Sequence, residues 1–171
     1  MTLLLRLRLV LLLVSVGCSH PASAQSVVPV APEGKTRVVF RSEKAAVSVT
    51  VTTAKVPGRG ASDSGAAARP SSCTSSREPC STVNALEILV DSKAVFVPRS
   101  VLCRLSDLNT GEIITEGPGW VLKLTGGDAS ESYVARVEFD RQRVTKLSVF
   151  SGMMPDKPIE ETVFHVQVLG D

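Results

Sequence analysis

The chain has 171 residues, 43% of them hydrophobic, 4% aromatic and 21% charged, with four cysteines and a formal net charge of +2. That length suits one domain and is short for two. The near-neutral balance excludes a dedicated nucleic-acid binder, whose affinity depends on massed Lys and Arg neutralising phosphates, and it leaves no polybasic patch for anionic lipid.

Residues 1–24 read as an export signal. Arg6 and Arg8 give a positive flank, and residues 9–16 form an apolar run too short to span a bilayer. Pro21 breaks any helix, and Ala22-Ser23-Ala24 supplies the small residues that a signal peptidase reads. This predicts cleavage after Ala24 and secretion, with the periplasm as the expected destination and no transmembrane segment in what remains. A competing reading is lipidation at Cys18 and anchorage to the envelope. Gly17 fits such a site, but Ser15 stands where a branched apolar residue is usual. Arg6 and Arg8 lie in the signal and no acid does, so the exported remainder carries 17 basic and 17 acidic residues.

Residues 25–35 hold two prolines without a period and read as an extended leader. A single β-rich domain is predicted over 36–171. Residues 36–54 open it with β-branched alternation, Val38 and Phe40 on one parity and Val47, Val49 and Val51 on another run, broken by a polar turn at 42–44. Residues 55–82 are rich in Gly, Ser, Ala and Pro and read as a flexible insertion, either a plain surface loop or a partner-binding segment. Cys73 and Cys80 flank a hexapeptide near its end, so a small disulfide loop is the economical pairing in an oxidising compartment. Cys103 is then expected as a buried thiol, and the other pairings stay open.

Residues 83–91 form a strand with Leu86, Ile88 and Val90 on one face, a turn at Asp91-Ser92-Lys93, and a short return strand stopped by Pro98. Residues 99–111 change period. Val101, Leu102, Leu105 and Leu108 share a helical face, Ser100 fits an N-cap, and the spacing predicts a helix of about two turns. Residues 112–116 are a short strand. The alternation in 120–140 then predicts a hairpin, with Trp120, Leu122 and Leu124 facing the same way as Tyr133, Ala135, Val137 and Phe139. Strands at 144–151 and 162–169 follow, with a loop over 152–158.

The predicted fold is mainly β (α+β): a curved antiparallel sheet or meander with one short helix packed on it. An immunoglobulin-like β-sandwich is the alternative, although Trp120 follows every cysteine and the Cys–Trp–Cys spacing of that family is absent.

Little in the chain points to reaction chemistry. Outside the signal, His165 is the sole histidine, and no motif places an acid or serine beside it. Cys73 and Cys80 are too far apart for a zinc knuckle, and Gly126-Gly127 precedes a strand rather than a phosphate-cradling helix. No catalytic residue, metal or cofactor is predicted. The polar cluster Gly126, Gly127, Asp128, Ser130 and Glu131 stands out. It reads as a single helical turn closed by Asp128 and Glu131 as a capping pair, and alternatively as a hard-cation site or a recognition loop. The functional expectation is an exported, non-enzymatic binding or structural protein of the bacterial envelope, whose partner is a protein or an envelope component. The alternatives are a carboxylate-dependent hydrolase using Asp128 and Glu131, and a carrier of a small apolar ligand between helix and sheet.

Overall fold

The computed structural model describes residues 26–56 and 72–165. The signal segment, Cys18 and residues 57–71 of the insertion lie outside the described residues. Among the described residues, ten strands run as β1 (Val28–Pro29), β2 (Gly34–Arg41), β3 (Ala46–Val56), β4 (Cys80–Val90), β5 (Lys93–Val95), β6 (Leu108–Glu116), β7 (Gly119–Gly126), β8 (Tyr133–Phe139), β9 (Val144–Ser151) and β10 (Met154–Val163). They form two antiparallel sheets, ordered β1-β6-β7-β8-β9-β10 and β2-β3-β4-β5.

Residue period decides which side chains are buried. In β7 and β8 the pairs Trp120↔Phe139, Leu122↔Val137 and Leu124↔Ala135 stack their apolar members on one face, all of them buried. Val38, Val47, Val49, Val51, Leu86, Ile88 and Val90 do the same for the four-stranded sheet. Both sets belong to one hydrophobic core. Gly111 marks how closely the sheets approach: a Cβ there would stand 3.2 Å from both Val38 Cγ2 of one sheet and Leu124 Cδ2 of the other. The two layers match the sandwich alternative in outline. Strands β2–β5 and β6–β10 each run as a meander, and β1 joins the second by a crossover to β6, which is not the strand order of an immunoglobulin domain.

One end of the molecule is fastened by charge. Asp91 and Ser92 both take positive φ (49° and 66°), as a two-residue hairpin loop requires. The Asp91 carboxylate accepts the Ala46 N–H at 2.8 Å and pairs with Arg141, which donates to the Lys44 carbonyl and lies over the Trp120 ring at 5.7 Å. Three turns, at 42–45, 91–92 and 140–143, are thereby tied together. The Ala46 amide, then Arg141, hold the Asp91 carboxyl below the usual carboxylate range. Because the folded value is the depressed one, this contribution is present at neutral pH and is lost as the medium is acidified below that range.

The predicted helix is corrected. Arg99–Arg104 forms a 3-10 segment, and Leu105 is already extended at φ −111°, ψ 105°. Its periodicity was real, since Val101, Leu105 and Leu108 are all buried. However, a helix of two turns is marginal alone, and Leu108 finds a strand partner in Gly126 instead. Cys103 is exposed on the 3-10 segment, not buried as expected, with its thiol 3.9 Å from the Arg99 carbonyl. Within the leader, Val28 and Pro29 pair with Gly111 and Thr110, and Val30 enters the core. Residues 152–158, expected as a loop, contribute the start of β10 from Met154, which carries register shifts around Pro158. Of the strand expected over 162–169, Thr162 and Val163 close β10, Phe164 and His165 follow it outside the strand, and residues 166–171 lie outside the described residues.

Two core substitutions test this packing. Leu122→Ala should cost about 3 kcal/mol in urea unfolding, whereas Val39→Ala on the solvent face of β2 should change stability by less than about 0.5 kcal/mol. Equal effects at both positions would contradict the assignment of faces.

Candidate recognition site

At the end of the sandwich away from the Asp91–Arg141 tie, two loops meet. Cys73 and Cys80 are disulfide-bonded with their Cα atoms 5.8 Å apart, closing the first loop at the start of β4. The second is the 126–132 connection between β7 and β8. Gly126 lies under the Tyr133 ring, where a Cβ would come within 2.5 Å, and Gly127 takes φ +72° against the Glu131 carbonyl. Ala129–Glu131 then forms a single 3-10 turn.

Asp107 holds the two loops to the sheets. It is 2% exposed and takes φ +49°, a conformation that Asp tolerates better than most residues. Its Oδ2 accepts the Thr74 N–H at 2.9 Å, and its Oδ1 accepts the Ser81 N–H at 2.8 Å. Its own N–H donates to the Ser81 carbonyl at 2.6 Å, and its carbonyl accepts from Gly127 N–H at 3.1 Å and Arg77 Nη1 at 3.0 Å. Arg77 Nη2 reaches Asn109 Oδ1 at 2.8 Å and the Gly127 carbonyl at 3.1 Å, and Asn109 Nδ2 donates to that same carbonyl at 3.0 Å. One guanidinium from the disulfide loop therefore spans β6 and the glycine pair.

Glu131 closes the contact from the other side. Its carboxylate accepts both the N–H (2.9 Å) and the hydroxyl (2.6 Å) of Ser75. This corrects the capping-pair expectation: the 3-10 turn is present, but no side chain caps it. Asp128 is exposed and contributes its backbone carbonyl to the turn, accepting Glu131 N–H at 2.8 Å. Ser130 is exposed at the rim of a cleft of about 260 Å³ that also meets Tyr133, Val149 and Ile159, with the Arg104–Glu160 ion pair (2.9 Å) across it.

Tyr133 anchors the cleft. Its hydroxyl donates to the Ser106 carbonyl at 2.6 Å and accepts the Ser106 N–H at 3.0 Å. Burial pushes its phenol up to about 12; the nearby Asp107 charge adds to that, and the Ser106 contact and Arg77 pull the other way.

The arrangement therefore consumes its polar groups internally. Among the described residues, every buried side-chain nitrogen or oxygen has a hydrogen-bond partner, and no three His, Cys, Asp or Glu side chains converge as metal ligands. Among the described residues, no third acid joins Asp128 and Glu131 as a metal-ligand group. His165 is exposed beyond the end of β10. What remains available outward is a patch of short polar side chains, Ser76, Asp128 and Ser130, on the braced loops. Sequence reasoning missed Asp107, Arg77 and Asn109. The signal was the polar run Ser106-Asp107-Leu108-Asn109, which the helical spacing around it concealed.

No protein-family model matches this chain, and no curated protein or solved structure matches it. Among the described residues, no helix is long and apolar enough to cross a membrane.

Asp107→Ala should destabilise the fold by about 3 kcal/mol, because two buried amides lose their acceptor. Hydrogen exchange at Thr74 and Ser81 should accelerate more than exchange in β7. Asp107→Asn, which keeps one accepting oxygen, should cost less. The single tyrosine of the chain makes the alkaline limit measurable. The folded pKa lies above the unfolded one, so the stabilisation is complete below about pH 10 and is lost as pH rises toward about 12. Tyrosinate absorbance should rise near pH 12 in the folded protein and near 10 in denaturant. Coincident curves would refute burial of the phenol.

Proposed function

We propose that this is an exported, non-enzymatic binding protein of the bacterial envelope, and that the joined loops at 72–80 and 126–132 are its recognition surface. The observation that carries this reading is the cross-bracing by Asp107, Arg77 and Glu131, which fixes two polar loops against each other before any partner arrives. Preorganised loops lose little conformational freedom on binding, so more of the contact energy appears as affinity. The Cys73–Cys80 disulfide supports export, since such bonds persist in oxidising compartments. A protein or a polymer of the envelope is the partner class that suits an open, hydroxyl-rich patch.

The carboxylate-hydrolase alternative would require Glu131 to leave Ser75, and the apolar-carrier alternative would require the mixed polar cleft beside Tyr133 to accept a greasy ligand. Neither has an observation in its favour.

Two measurements test the proposal. The mass of the protein recovered from cells should begin at Gln25; a species beginning at an acylated Cys18 would place it on a lipid anchor instead. A photo-crosslinking residue at Ser76 or Ser130 should capture one defined envelope component in living cells, while the same residue at Glu138 on the six-stranded sheet should not. Capture from Glu138 alone would move the recognition surface elsewhere.

A further inference from the structure

Four strands lie at sheet edges, and three of them are poor templates for another strand. β1 is two residues long and ends in Pro29, β5 is three residues long, and β10 contains Pro155 and Pro158 with a broken register. Proline has no amide to donate, and bulges and short lengths blunt an edge in the same way. β2 differs. It runs eight residues without proline, pairs with β3 in unbroken register from Gly34↔Thr53 to Arg41↔Ala46, and has no strand on its outer side among the described residues.

The side chains of β2 add a charge preference. Thr36, Val38 and Phe40 are buried inward, while Lys35, Arg37, Val39 and Arg41 are exposed on the solvent face. Behind Lys35 and Arg37, the facing β3 residues are Thr52 and Thr50, which do not neutralise them. We propose that β2 is a strand-addition site for an extended segment of a partner protein carrying acidic residues at alternate positions. Its backbone would pair with the free edge, and its carboxylates would lie beside Lys35, Arg37 and Arg41. A second copy of this chain is disfavoured as the occupant: antiparallel pairing of β2 with β2 would set a row of cations against another row of cations.

The test uses a labelled peptide alternating Val and Glu, a Lys-for-Glu version, and a version with Pro at the central Val. Fluorescence anisotropy on the full chain should show salt-dependent binding of the acidic peptide and about tenfold weaker binding of the other two. The Lys35→Glu/Arg37→Glu variant alters only exposed side chains, so it should keep the wild-type circular dichroism and reverse the preference toward the Lys peptide. Retained affinity of the Pro peptide would reduce the interaction to general charge attraction and overturn strand addition. Equal binding of acidic and basic peptides, or binding of neither, would show that the edge cations only keep other strands away, and would overturn the proposal as well.

Discussion

A buried carboxylate must find hydrogen-bond donors inside the fold, because its separation from water is otherwise too costly to sustain. Asp107 meets that constraint by recruiting the amides of Thr74 and Ser81 and by offering its carbonyl to Arg77 and Gly127. The disulfide loop, the start of β4, the start of β6 and the β7–β8 connection all depend on this one residue. Without its carboxylate oxygens, the Thr74 and Ser81 amides would lose their acceptor, leaving the loop its covalent crosslink and the contacts of Arg77, Ser72 and Ser75.

The two ends of the sandwich thus solve the same problem differently. At one, an exposed Asp91–Arg141 pair ties three turns and shields Trp120. Such a contact is weak individually and screened by salt. At the other, the charge is buried and its donors are mostly backbone amides, which screening barely affects. Buried hydrogen bonds from one carboxylate are therefore found at the loop end, beside the outward polar patch. The β2 edge supplies a separate surface whose chemistry is that of main-chain pairing.

The strands were legible from the residues themselves. Trp120, Leu122 and Leu124 against Ala135, Val137 and Phe139 occupy one face as their alternation predicted, and Asp91-Ser92 turns where expected. Cys73 and Cys80 are joined as their short separation suggested. The candidate site was legible only in part. Gly126, Gly127 and Glu131 stood out as a polar turn, but nothing local revealed that Glu131 is held by Ser75, 56 positions away in the chain. Val101, Leu105 and Leu108 misled in an instructive way: they are buried as a helical face would bury them, yet a strand partner and the Asp107 hydrogen bonds outweigh two turns of helix.

By itself, the sequence determined the antiparallel strands and the buried faces, because residue period and turn chemistry act over a few neighbouring residues. Division into two sheets around a shared core, the pairing of Val28–Pro29 with β6, and the Asp107–Arg77 brace were decided only in three dimensions. Each rests on contacts between distant segments, and such contacts leave no mark on the local pattern of either one.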